Sequence, residues 1–115
     1  MRVLVCGGRD YKDARLVFET LQALHRKTPI TTVIEGGAYG ADSYAREWAD
    51  TSIDQVIVEE YKADWSLGKK AGPIRNQRML DEGKPDLVLA FPGGRGTADM
   101  VARAKKAGVK VIETN

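Results

Sequence analysis

The sequence predicts an α/β fold, a mainly parallel five-stranded sheet doubly wound with helices on both faces, and three observations carry that prediction. Short apolar, β-branched runs recur at Val3–Cys6, Thr32–Ile34, Val56–Val58, Leu87–Phe91 and Val109–Ile112. Helical periods fill most of the intervals between them. Glycine-rich turns follow the first, second and fourth runs. Runs without strict polar alternation suit strands covered on both faces, and the helical intervals supply the right-handed crossovers that parallel strands require.

The elements follow in order. The first run opens directly after Met1-Arg2, with no cleavage-type segment before it, and no apolar stretch approaches the length of a membrane span. A cytoplasmic protein with no membrane partner is expected. Val17, Leu21 and Leu24 then repeat at helical spacing, as do Ala41, Ala45, Trp48 and Ala49 after the second run, and Ala98, Val101 and Ala102 after the fourth. Each stripe offers one face to bury on the sheet. Lys62 to Pro73 is the irregular piece. Overlapping its end, Ala71 to Met79 reads as a helix with Pro73 in its first turn and Arg75, Arg78 and Met79 on one face. The 115 residues make one domain, 1–115, without repeats or linkers.

In a parallel sheet every strand ends on the same edge, so the three glycine loops become neighbours. With the strand order 3-2-1-4-5 of related folds, the first and fourth strands are adjacent and their connections leave toward opposite faces, flanking the crevice where open α/β sheets bind ligands. Gly7-Gly8-Arg9 forms one lip, Pro92-Gly93-Gly94-Arg95-Gly96-Thr97 the other, and Gly36-Gly37-Ala38 with Asp42 lies close by. Glycine lets backbone N–H groups approach an anion, and the helix opening at the second lip adds its unpaired N–H groups and the positive end of its dipole. That is where a phosphate would sit.

Composition removes several classes of function. Lysine and arginine number 18 against 16 acidic residues, too even a balance to imply nucleic acid. Cys6 is the only cysteine and His25 the only histidine, which excludes an internal disulfide and a Cys/His zinc site within one chain. Cys6 reads as a buried strand-end thiol and His25 as a helix-surface residue. No cluster demands a metal, and no cofactor is required.

Arg9 and Arg95 sit inside glycine loops, where a guanidinium can pair with phosphate or can simply be solvated. Thr97 can bind phosphate through its hydroxyl or cap the helix that starts there. Asp42 can meet a ribose hydroxyl or favour its helix through the dipole. Glu35 ends an apolar strand beside the crevice and can meet a ribose, orient water or pair with an arginine. Arg75 and Arg78 add positive charge nearby. Trp65 can stack on a base or anchor its loop to the core, and the anchor is the expected role.

These motifs together, Val5-Cys6-Gly7-Gly8-Arg9-Asp10, Glu35 through Asp42, Ala63-Asp64-Trp65, Gly72 through Met79 and Phe91 through Thr97, resemble the SLOG superfamily over nearly the whole chain. That Rossmann-like group joins LOG-type phosphoribohydrolases with the DNA-processing A proteins, and the similarity is narrowest to its YspA/YpsA-related branch. The resemblance implies a nucleotide or nucleotide-derived ligand at the C-terminal edge of the sheet. The enzymatic relatives follow their proline-glycine-glycine-x-glycine-threonine motif, after two residues, with a glutamate. Met100 stands at that position here, with Asp99 about 100° away around the helix, and the lysine expected after Arg75 is Asn76. A sensor or sequestering domain is therefore expected. The alternatives are an N-glycosidic hydrolase, with Glu35, Arg75 and Asp99 as its candidate catalytic residues, and single-stranded DNA binding, which the balanced charge disfavours. The ligand-binding set is Gly7, Gly8, Arg9, Gly36, Gly37, Ala38, Asp42, Arg75, Asn76, Pro92, Gly93, Gly94, Arg95, Gly96 and Thr97. Exposed sheet edges make a homo-oligomer, a dimer, the expected assembly.

Overall fold

The computed structural model describes residues 1–115. Five parallel strands, β1 (Arg2–Cys6), β2 (Thr32–Glu35), β3 (Ile57–Glu60), β4 (Leu87–Ala90) and β5 (Lys110–Glu113), form one sheet in the order β3-β2-β1-β4-β5. Four helices separate them: α1 (Ala14–Lys27), α2 (Ala41–Thr51), α3 (Ala71–Asp81) and α4 (Arg95–Lys106). This is the doubly wound, all-parallel architecture that the strand runs and glycine turns predict, in the expected strand order.

Side-chain alternation along the strands divides the core in two. Val3, Val5, Val33, Leu87 and Leu89 face α1 and α2, where Val17, Leu21, Ala45, Trp48 and Phe91 pack against them. Leu4, Cys6, Ile34, Val88 and Ala90 face the other way, onto Met79 and Leu80 of α3 and Met100, Val101 and Ala104 of α4. The helices that follow β1 and β2 thus cover one face and those that follow β3 and β4 the other. The winding reverses between β1 and β4, which pair from Val3↔Leu87 to Cys6↔Ala90, and the helices that follow these two strands lie on opposite faces.

Several local expectations change. The third strand begins at Ile57 and runs to Glu60, one residue later than the apolar run, because the ladder to β2 matches Thr32 with Ile57 and Glu35 with Glu60. On α4 the buried stripe is Met100, Val101 and Ala104, whereas Ala98 and Ala102 are exposed. Small alanines fit either face of a helix, and the larger Met100 sets its rotation against the sheet. His25 is not a free surface residue. Its ring stands edge-on to Trp48 with centroids 5.5 Å apart, accepts from Ile30 N–H at 2.9 Å and meets Asp54 at 2.6 Å. The irregular piece contains a 3₁₀ turn, Trp65–Lys70, that runs straight into α3. No helix is long and apolar enough to cross a membrane.

Candidate functional site

At the C-terminal edge of the sheet, over the reversal point, a crevice of about 560 Å³ opens, within the roughly 300–1,000 Å³ range of small-molecule sites. All three glycine loops contribute to its wall, joined by Lys62, Ala63 and Trp65 after β3 and by Gly72, Arg75, Asn76 and Met79 of α3. Met100 closes the floor beside Cys6. Burial pushes the Cys6 thiol up to about 12, so it stands there as an uncharged, unreactive wall.

The loops are fastened to one another through Gly8. Its N–H donates to Pro92 O at 2.9 Å, and its carbonyl accepts from Tyr11 N at 3.1 Å and from Ala41 N, at the start of α2, at 3.5 Å. Gly8 therefore joins the lips, its own N–H already spent. Gly93 packs into the same joint: a Cβ there would strike Thr97 Oγ1 and stand 2.6 Å from Gly8 N. The first turn of α4 has no side-chain cap, and Ala98 is its first residue to donate back, to Gly94 O at 3.1 Å. The N–H groups of Arg95, Gly96 and Thr97 consequently lack helical partners, and of these residues Gly96 and Thr97 line the crevice.

Of the predicted ligand residues, Gly7, Gly8, Arg9, Gly36, Gly37, Ala38, Asp42, Arg75, Asn76, Gly94, Gly96 and Thr97 line the crevice together. Pro92, Gly93 and Arg95 do not, and Arg95 is exposed. Arg75 donates from Nη1 to Gly36 O at 2.7 Å and from Nε to Asn76 Oδ1 at 3.0 Å, leaving further guanidinium N–H groups over. Arg78, expected beside it, lies outside the wall, with Nε on Glu82 at 2.9 Å and its guanidinium 5.5 Å from the centre of the Tyr61 ring. Positions 75 and 78 are three apart, and their long side chains leave α3 in different directions.

The carboxylates are mostly committed to the framework. Asp42 Oδ2 accepts from Gly36 N at 3.1 Å and Ala38 N at 3.3 Å, holding the loop it belongs to. Burial pushes its carboxyl up to about 6 against the pull of those bonds and of Arg75. Glu35 lies outside the crevice wall, fully buried, with Oε1 on Gly37 N at 2.6 Å and Oε2 without a partner. Asp99 is likewise outside it, with Oδ2 shared between Asn76 Nδ2 at 2.9 Å and Arg103 Nε at 2.8 Å. Asn76, buried on α3, also donates to Gly96 O at 3.2 Å and so ties α3 to the first turn of α4. This bridge is not legible in the sequence, where the only signal is an amide inside a helical pattern. Asn76→Ala is expected to cost about 1–3 kcal/mol by leaving Gly96 O and Asp99 short of a donor, read as a lower urea midpoint with unchanged slope.

Trp65 lines the crevice but is 61% exposed and joins neither half of the core, so it does not anchor its loop as expected. No group of three or more His, Cys, Asp or Glu side chains is placed to hold a metal ion.

A doubly wound parallel sheet with glycine loops converging over its reversal point defines a Rossmann-like domain with a crevice at the switch point. Residues 1–68 match the model of YAcAr, the YspA, cpYpsA-related SLOG family. The chain belongs to that family. It is 43% identical over 118 residues to the Gene 61 protein of Mycobacterium phage D29, across 96% of this chain and 94% of the relative. No solved structure matches it.

Proposed function

We propose that the crevice binds a nucleotide or nucleotide-derived ligand, in the manner of a sensor or sequestering domain, with phosphate at the first turn of α4. The observation that carries this reading is the convergence of partnerless N–H groups at that turn with Arg9 and Arg75 in one crevice. Asp42, the only carboxylate on the wall, is already engaged by two backbone N–H groups. The wall therefore favours an anion. Family membership supports the same class of ligand. Binding is favoured over hydrolysis because cleavage of an N-glycosidic bond, through an oxocarbenium-like state, calls for a carboxylate at the reacting carbon. Glu35 and Asp99 both lie outside the crevice wall.

The test is thermal unfolding in the presence of AMP, ADP, ATP, NAD and ADP-ribose, each compared with a Gly94→Val variant. Ligand at ~100 times its Kd adds about 2.7 kcal/mol, which in a domain of this size raises the midpoint by roughly 10 °C. A Cβ at Gly94 meets nothing within 4 Å. The variant is accordingly expected to melt within a few degrees of the parent while losing the ligand shift, its added methyls occupying the phosphate position. Undiminished affinity in Gly94→Val would remove the phosphate from α4. A flat panel would overturn the reading, and release of free base during incubation would replace binding by hydrolysis.

A further inference from the structure

The nucleotide reading leaves Trp65 unused, yet its position is unusual for a tryptophan. The indole is 61% exposed on the crevice wall, whereas Trp48, the other tryptophan, is 3% exposed inside the core. An indole carries a large apolar face whose burial is strongly favourable, and the core has not taken this one. Nor is its segment a loose tether. Asp64 Oδ1 accepts from Ser66 N at 3.1 Å and Ser66 Oγ at 2.6 Å, fixing the turn from which Trp65 projects. The far edge of the ring reaches α3 at Gly72, where a Cβ would stand 4.0 Å from Cη2. No side chain at 72 intrudes between the indole and the crevice.

Helix α3 runs along the crevice wall from this ring to the first turn of α4. Gly72 lies four residues before Asn76, about 6 Å along the axis, and Asn76 bonds Gly96 O at the first turn of α4.

We propose that Trp65 is the base wall of the crevice, stacking on the planar ring of a 5′-phosphorylated ribonucleoside whose phosphate lies at the first turn of α4. This assignment rests on the nucleotide reading and narrows it to mononucleotides. Stacking tolerates any base, because each presents a π-face, and purines present the larger one. Specificity among bases must then come from other contacts, and discrimination against ligands without a base comes from Trp65.

Calorimetric titration of the full chain with AMP and with ribose 5-phosphate tests the proposal in the parent, Trp65→Ala and Trp65→Phe. The parent is expected to bind AMP roughly tenfold or more tightly than ribose 5-phosphate. Trp65→Ala should bring AMP down to the affinity of ribose 5-phosphate while leaving the latter unchanged, and Trp65→Phe should restore most of the difference. AMP, but not ribose 5-phosphate, should quench the emission of the parent and leave that of Trp65→Phe, which reports Trp48 alone, unaltered. Equal affinities for the two ligands in the parent, or an unchanged ratio in Trp65→Ala, would overturn the base wall and leave the phosphate site standing. An equal loss for both ligands in Trp65→Ala would make the residue a structural support and overturn the proposal as well. Failure of the parent to bind either compound would overturn the mononucleotide assignment and its base wall, and the nucleotide reading would fall with them only where ADP, ATP, NAD and ADP-ribose also give no shift.

Discussion

Gly40→Ala is expected to destabilise the protein by about 3 kcal/mol or more, the sum of backbone strain and of the hydrogen bonds it breaks. Gly40 caps α2 at φ 72° and ψ −130°, a region in which a Cβ costs on the order of 1–3 kcal/mol. The same Cβ would collide with Gly8 O and stand 2.9 Å from the carbonyl carbon and oxygen of Arg9. All of these are backbone atoms, and no rotamer change relieves them. Displacing Gly8 disturbs the bonds it makes to Pro92, Tyr11 and Ala41, each worth about 0.5–1.5 kcal/mol net. At roughly 4 °C per kcal/mol for a domain of this size, the midpoint should fall by about 12 °C. Gly94→Ala, on another of the three loops but with open space around its Cβ, should move the midpoint by only a few degrees. A Gly40→Ala variant that melts as the parent does would mean that the loops are not locked through Gly8, and would remove the rigid frame on which the candidate site depends.

That contrast marks how far the sequence could be read. Glycine after a strand announces a turn, and three such turns on one sheet edge locate the crevice, because strand direction in a parallel sheet is fixed by the crossovers. Which glycine faces the crevice and which fastens the frame depends on bonds between loops far apart in the chain. Gly8 and Gly93 read as phosphate contacts, yet the N–H of Gly8 is spent on Pro92 and Gly93 is wedged against Thr97. Helical periodicity has the same limit. It identified α4 as a helix but not its rotation, since Ala98 and Ala102 satisfied the period as well as Met100 and Ala104 did. Trp65 illustrates the converse, because burial is the ordinary fate of an indole and nothing local signals that this one faces the crevice. Composition speaks to neither question.

Glu35→Gln is expected to change the pH dependence of stability by an amount comparable to the whole Gly40 effect. The carboxyl ends β2 in full burial, and the resulting desolvation pushes it up from 4.5 to about 7, helped by the nearby charges of Asp42 and Glu60 and opposed by the Gly37 N–H and by Arg46. Below pH 4.5 the group is mostly protonated in the folded and unfolded chains alike, and its ionisation takes nothing from stability. Between 4.5 and about 7 the unfolded chain gives up its proton first, so stability declines as the pH rises. Above about 7 the folded chain carries a buried charge and the loss is complete. At about 1.36 kcal/mol per pKa unit the total is on the order of 3 kcal/mol. Glutamine keeps the acceptor for Gly37 N–H and cannot ionise. Its amide nitrogen, in place of the partnerless Oε2, carries a penalty independent of pH, which cancels when one variant is compared at two pH values. Asp42, pushed up to about 6, contributes in the same direction in both chains and drops out of the difference except through its coupling to Glu35. Urea titrations at pH 4.5 and pH 8 should therefore show the parent losing about 3 kcal/mol more than Glu35→Gln across that interval. Parallel profiles would place an ionised Glu35 in the folded protein throughout, with the Arg46 guanidinium, 3.8 Å away, compensating its burial.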